Sequence, residues 1–298
     1  MVLDGFYQYF IGENILGLKS PSPERVSSFF GDELILGSYL SRLFPLLFAL
    51  FLIRQKQKFE IYFIGLLFIL VDILIFMSGE RAAFFFLNLS TVFIIILIKE
   101  YQKFRLVTFI IAITCITVLS LNSSKLTDRM FKDPAKDMGL IKSSNVPTIF
   151  TPGHDSLYRT ALNMFKDQPL TGHGPKMFRY ICEDKKYMVG VGAAKSNPCK
   201  THPHNFYLQL LAETGIVGFS FLFSALCYVL YASLRQFKSI IFKQKRPLTD
   251  YQVCLLAGIL ITVWPIAPNG NFFNNWLIIA YSLPVGFYLE SIYSKKKR

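Results

Sequence analysis

The sequence predicts an all-α integral membrane protein with about seven transmembrane helices and one large external loop containing amphipathic helices. Three observations lead there. Of 298 residues 52% are hydrophobic, 30 are Phe and 15 are Tyr, and only 17% are charged, whereas a soluble domain is about a quarter charged. Seven apolar stretches approach the roughly 20 residues that cross a bilayer. Basic residues fill alternate gaps between those stretches, as the positive-inside rule requires of a multi-pass chain. This composition excludes disorder, collagen and a water-soluble enzyme. An excess of 32 basic over 19 acidic residues would point to nucleic acid only as a basic face on a soluble module, so no nucleic-acid partner is expected.

Residues 1–34 come first and hold Phe6, Tyr7, Tyr9, Phe10, Ile11, Ile15 and Leu16, interrupted by Asp4, Glu13 and Asn14. No basic region precedes this stretch, so it is not a signal peptide. It is read as an external segment, either a short surface helix or the start of the C-terminal part of a longer protein, the second being the expectation. Four spans follow within 35–121, namely 35–53, 61–77, 82–98 and 106–121. Three more lie within 205–298, at 206–234, 253–268 and 276–293, ahead of a basic tail. The sixth is broken by Pro265 and Pro268, which only protein or a water-filled cavity can accommodate. Arg54, Lys56 and Lys58, then Lys99, Lys103 and Arg105, then Arg235 to Arg246, and finally Lys295 to Arg298 mark the cytoplasmic side. Asp72 and Arg42 fall inside spans, where ionisable groups are costly unless paired, and a structural pair between them is expected.

Residues 122–204 then form the external loop, whose 13 Lys or Arg against 7 Asp or Glu do not violate the rule because loops beyond about 60 residues escape it. Its opening, with Pro134 and Pro147, reads as irregular. Leu157, Ala161, Met164 and Phe165 recur at helical spacing, predicting an amphipathic helix over 155–167 on the membrane face, capped by Asp155 or Ser156, with Arg159 off the stripe. Gly172-His173-Gly174-Pro175 is a turn. Cys182 and Cys199 are the loop's two cysteines, and an oxidising compartment makes a disulfide between them the expectation. Metal binding is not expected, since the spacing of ligand types fits no zinc motif.

All four histidines lie in this loop. Pro203 suits a first helical position, so Thr201 or His202 is read as the cap of the fifth span and His204 as part of its first turn. There the helix dipole disfavours an imidazolium and attracts phosphate. A neutral imidazole beside a phosphate seat is the equipment of glycosyl transfer from a diphosphate donor, although packing at a helix start is the bland alternative. Arg25, Glu80 and Arg81 lie at the external ends of spans. Arg binds diphosphate oxygens in a planar fork, while snorkelling is the bland alternative for each. His202 and Glu213 are possible supporting residues, and Glu213 is alternatively just solvated.

His204-Asn205-Phe206 followed by Glu213-Thr214-Gly215-Ile216-Val217-Gly218 resembles the His-Asn, then Glu-x-Gly-x-x-Gly signature of bacterial O-antigen ligases and polymerases. Ser78-Gly79-Glu80-Arg81 resembles that family's span-tip motif. Arg159 before Pro169-Leu170-Thr171-Gly172-His173-Gly174 resembles its loop helix and Pro-Leu-x-Gly-x-Gly, and Arg25-Val26-Ser27-Ser28-Phe29 its approach to an earlier span, with Ser28 where Gly is usual. The likeness covers about 25–222. It implies a multi-pass glycosyltransferase of the bacterial inner membrane, with the loop in the periplasm and the C-terminus in the cytoplasm. The implied donor is undecaprenyl diphosphate-linked glycan, and the acceptor lipid A core or a growing glycan, with no metal or other cofactor. By matching positions His204 is the base and Arg81, Arg159 and, more weakly, Arg25 hold the diphosphate. Ligase and polymerase share the donor and stay open, and a glycolipid transporter or flippase is the alternative of another class.

Overall fold

A computed structural model describes residues 1–53, 57–140, 149–191 and 199–296. Arg54, Lys56, Pro147, Lys297 and Arg298, invoked above, lie outside the described residues. Twelve α-helices occur among the described residues, in the order α1 (Val2–Ile11), α2 (Leu36–Phe51), α3 (Lys58–Met77), α4 (Arg81–Leu97), α5 (Gln102–Asn122), α6 (Ser124–Thr127), α7 (Asp133–Asp137), α8 (Pro152–Asp167), α9 (Phe178–Ile181), α10 (Phe206–Ile241), α11 (Asp250–Thr262) and α12 (Asn275–Lys296). No strand is present among them beyond a single bridge between Glu13 and Lys19.

Four helices, α3, α5, α10 and the 275–293 part of α12, are long and apolar enough to cross a membrane, and the chain is an integral membrane protein. The apolar helices α2, α4 and α11 are shorter. At 1.5 Å per residue the 13 residues of α11 reach about 20 Å, short of a hydrocarbon core of about 30 Å. The cause is the one the sequence offers, since the helix stops at Thr262 before Pro265 and Pro268.

The chain divides into two compact units. The first comprises Met1–Met130, Tyr231–Thr262 and Ala280–Arg298, in which α2 packs on α4 and α11, and α3 on α5. Here the expected Asp72–Arg42 pair is replaced by another. Asp72 accepts two hydrogen bonds from Arg105, at 2.8 and 3.1 Å, and both side chains are fully buried. Arg105, read above as a cytoplasmic loop residue, lies in the first turn of α5. Its guanidinium also donates to Thr91 Oγ1 at 2.7 Å and lies over the Phe44 ring. Two forked bonds neutralise both charges where neither can reach water. Arg42 instead lies over the Phe86 ring.

The second unit comprises Phe131–Leu230 and Val263–Ile279. Its core gathers Leu157, Tyr158, Ala161 and Met164 of α8 with Phe178, Cys182, Tyr187, Cys199 and Ala212. The apolar stripe of α8 therefore faces this core. The helix begins at Pro152, with Thr151 as its cap rather than Asp155 or Ser156. Proline tolerates a first helical position because its missing N–H has no intrahelical partner there.

Candidate functional site

His204 does not belong to a helix turn. Its φ is 56°, the left-handed region that costs a residue with a Cβ on the order of 1–2 kcal/mol. The helix starts two residues later, and Asn205 is its cap, with Oδ1 accepting the N–H groups of Tyr207 at 3.0 Å and Leu208 at 3.1 Å. Those groups are thus occupied, and the phosphate seat inferred for this helix end is filled by the chain's own amide. The kinked backbone is held from the 263–274 segment. Asn269 N donates to His204 O at 2.8 Å, Asn205 Nδ2 to Pro265 O at 2.7 Å, and Tyr207 Oη to Val263 O. Gln209 bonds Asn271 at 2.8 Å and receives Phe272 N at 2.9 Å.

This turn brings two imidazoles together, their planes tilted by 53°. The ring centroids of His202 and His204 are 4.1 Å apart, and His154, in the first turn of α8, stands edge-on to His204 at 5.7 Å. The left-handed backbone at His204, in place of the expected first helical turn, is what brings the two rings together. Thr151 Oγ1 lies 2.8 Å from His154 Nδ1, and Thr201 Oγ1 lies 3.0 Å from His202 Nδ1. Among the described residues no group of three or more His, Cys, Asp or Glu has the geometry of a metal site. Burial lowers both pKa values. His202 falls to about 3, with the adjacent His204 adding to the effect, and His204 lies below the ordinary imidazole value, the Asn269 backbone opposing and Lys200 reinforcing the shift. Both rings are therefore neutral near pH 7, for reasons of desolvation rather than of helix dipole.

Beside this cluster opens a cavity of about 480 Å³ lined by Phe150, Tyr158, Arg159, Asn205, Tyr207 and Pro265. Arg159 sits at its polar edge, exposed, bound to Asp155 one turn earlier at 2.9 Å. An exposed pair at that spacing is worth only about 0.3–0.5 kcal/mol, so the guanidinium can exchange this partner for an anion. Tyr158 Oη is buried in the wall beside Asn205, and burial pushes the phenol up to about 12, the Asn205 side chain opposing the shift.

A sequence model of O-antigen ligases matches residues 64–223. The chain belongs to the O-antigen ligase family. A Rickettsia felis protein provisionally named a polysaccharide ligase is 26% identical over 110 residues, 37% of this chain and 27% of that protein. A Rickettsia conorii protein named in the same way is 31% identical over 84 residues, 28% of this chain and 20% of that protein. The chain therefore matches about a quarter or less of the length of these relatives.

Two glycine motifs of this ligase-family region fold into each other. At Gly215, with φ 63°, α10 departs from helical geometry, and the N–H groups of Ile216 and Val217 turn to Pro169 O and Leu170 O at 2.9 and 3.4 Å. The carbonyls they abandon, Ala212 O and Glu213 O, accept His173 N and Gly174 N at 3.0 and 2.8 Å. The loop thus restores what the kink removes. A Cβ on Gly172 would stand 2.4 Å from the Glu213 carbonyl carbon, and one on Gly215 2.2 Å from Leu170 O. Glu213 is buried rather than solvated, accepting Lys176 N, Phe178 N and Gln209 Nε2, each at 3.0 Å. His173 Nε2 lies 3.0 Å from Met164 O, and since a carbonyl only accepts, this nitrogen carries the proton. Cys182 and Cys199 are joined by a disulfide, Cα atoms 5.4 Å apart, which ties the chain three residues before His202 to α9.

In the first unit of the ligase-family chain, Arg25 and Arg129 grip the Ser78-Gly79 tip. Arg25 Nε donates to Ser78 O at 2.9 Å and Nη2 to Leu34 O at 3.0 Å, while Arg129 Nε donates to Gly79 O at 3.1 Å. Burial lowers the Arg25 pKa to about 10, and the nearby Arg129 reinforces this. Glu80 caps α2 through Gly37 N and Ser38. Arg81 opens α4 exposed to solvent. Sequence reasoning gives no role to His154, Asn269 or Arg129, and takes Asn205 only as part of the His-Asn signature. Pro152 after Thr151 could have placed His154 in a first turn, and Asn205 is a preferred cap residue.

Proposed function

We propose that this chain transfers a glycan from undecaprenyl diphosphate to a lipid A core acceptor at the periplasmic face of the bacterial inner membrane. The observation that carries the reading is His204, a half-buried neutral imidazole held by a strained backbone between two other imidazoles, next to a cavity edged by Arg159. An acceptor hydroxyl gives its proton to His204 as its oxygen attacks the anomeric carbon. The bond from that carbon to the diphosphate oxygen breaks, and the diphosphate leaves with the electron pair. Arg159, and by motif position Arg81 and more weakly Arg25, are the residues assigned to the leaving charge, where forked contacts count most in the transition state. His202 keeps a second proton off the cluster by its own burial.

The seven-span arrangement, with 122–204 periplasmic and the basic tail cytoplasmic, belongs to this reading, α2, α4 and α11 being its shorter spans. Polymerisation of repeat units uses the same donor and the same base. A transporter would draw on the broken sixth span and on the intramembrane Asp72 and Arg42. The first now has a local use in positioning His204, and Asp72 is paired with Arg105.

The test supplies the chain, and any longer form the gene encodes, with undecaprenyl diphosphate glycan and lipid A core, following both lipids by gel. A core-linked product marks a ligase and a donor-linked ladder a polymerase. A folded protein that consumes no donor contradicts the reading.

A further inference from the structure

The N-terminal segment is built inside out. On α1 the buried residues are Asp4, Gly5 and Gln8, while Leu3 is 78% exposed, Phe10 75%, Ile11 59%, Ile15 70% and Leu16 68%. From residue 1 to 18 every exposed residue is apolar, aromatic or glycine, and the two charged ones, Asp4 and Glu13, are buried or half-buried. A water-facing helix shows the opposite pattern, with its polar residues outward.

The inward polar side chains serve the backbone. Asp4 Oδ1 accepts Ile15 N at 2.8 Å, and Asn14 Oδ1 accepts Leu16 N at 3.0 Å and Leu18 N at 2.8 Å. Asn14 N and Gly17 N bond to Leu18 O and Asn14 O. Every N–H from Asn14 to Leu18 is thereby satisfied without water. Gln8 does the same for Ser27 N at 2.9 Å and Ser28 N at 2.7 Å. Backbone N–H groups met by the chain itself beneath an outward apolar face suit a segment seated at the headgroup–acyl boundary rather than in water.

The position agrees. Gly5 lies against Leu74, one turn from the outer end of α3, where a Cβ would come within 2.7 Å of Leu74 Cδ1. Val2 and Phe6 pack on the cluster of Leu74, Met77 and Ile116. The segment is thus fixed to the ends of two helices that are long and apolar enough to span a membrane.

We infer that residues 1–18 are an embedded element whose Leu3, Tyr7, Phe10, Ile11, Ile15 and Leu16 face meets the acyl chains of the bilayer. This surface is independent of the glycan reading. The test reconstitutes the full chain in phosphatidylethanolamine–phosphatidylglycerol vesicles, labels one sample with a membrane-partitioned diazirine and oxidises another with hydroxyl radicals, and maps both by mass spectrometry. Phe10 and Ile15 should take the diazirine within about twofold of Ile110 and Val118 on α5, since hydrocarbon contacts both, and should resist oxidation. Oxidation without diazirine labelling, or neither modification, overturns the inference. So does labelling that falls as protein-to-lipid ratio rises, which would mark a second copy as the occupant.

Discussion

Glu80 closes the start of α2 from the tip between α3 and α4, its Oε1 accepting Gly37 N at 2.7 Å and its Oε2 accepting Ser38 N at 3.1 Å and Ser38 Oγ at 2.5 Å. Ile35, at the cap position, has no side chain able to do this. A carboxylate at a helix N-terminus satisfies free donors and meets the positive end of the dipole. Burial nonetheless raises the Glu80 pKa. Stability from this group is therefore largest at low pH and declines as pH rises from the unfolded carboxylate value through the raised folded one. Glu80→Ala should cost about 2 kcal/mol by leaving buried donors unmet, and Glu80→Gln, which keeps an acceptor, clearly less. Thermal melting in vesicles, compared at two pH values, measures both.

Gly172 and Gly215 stand where two segments exchange hydrogen bonds, both at positive φ and both against backbone atoms that cannot yield. Gly215→Ala or Gly172→Ala should destabilise the second unit by about 3 kcal/mol or more. Gly153, which meets nothing within 4 Å, is the control, and Gly153→Ala should leave protease resistance unchanged.

The Cys182–Cys199 bridge fixes the approach to His202. For a sequence separation of 17, its loss should cost about 3 kcal/mol. Cys199→Ser should lower the melting temperature and reduce turnover more than donor affinity. Equal turnover of oxidised and reduced protein would separate the bridge from the site.

The imidazole cluster sets an acid limit. With folded pKa values depressed, the unfolded state takes up protons first, so stability falls as pH drops below about 6.5, and for His202 continues to fall toward about 3. The acid limb of kcat/KM should lie below the ordinary histidine value, since burial keeps His204 neutral there. A limb at or above 6.5 would contradict the burial argument.

Helical class and the positions of the long apolar helices were legible because lipid-crossing segments carry their signal in composition alone. Charge pairing was not. Arg105 follows Lys99 and Lys103 and so reads as a loop base, yet α5 starts at Gln102 and turns it inward to Asp72. Likewise Pro203 advertises a helix start, but Asn205 offers a better cap, and the shift of the first helical residue from Pro203 to Phe206 moves His204 from a helical turn into a left-handed one. His154 was visible as a histidine, and only the folding of α8 against the His202–His204 turn gives it a neighbour.

The most direct measurement is single-turnover glycan transfer by His204→Ala beside the unaltered chain, with melting and donor binding as controls. A general base contributes about 10²–10⁴-fold, so transfer should fall at least about 100-fold while folding and donor affinity persist. Transfer within about threefold of the unaltered chain, far inside that range, would contradict the assignment of His204 as the base.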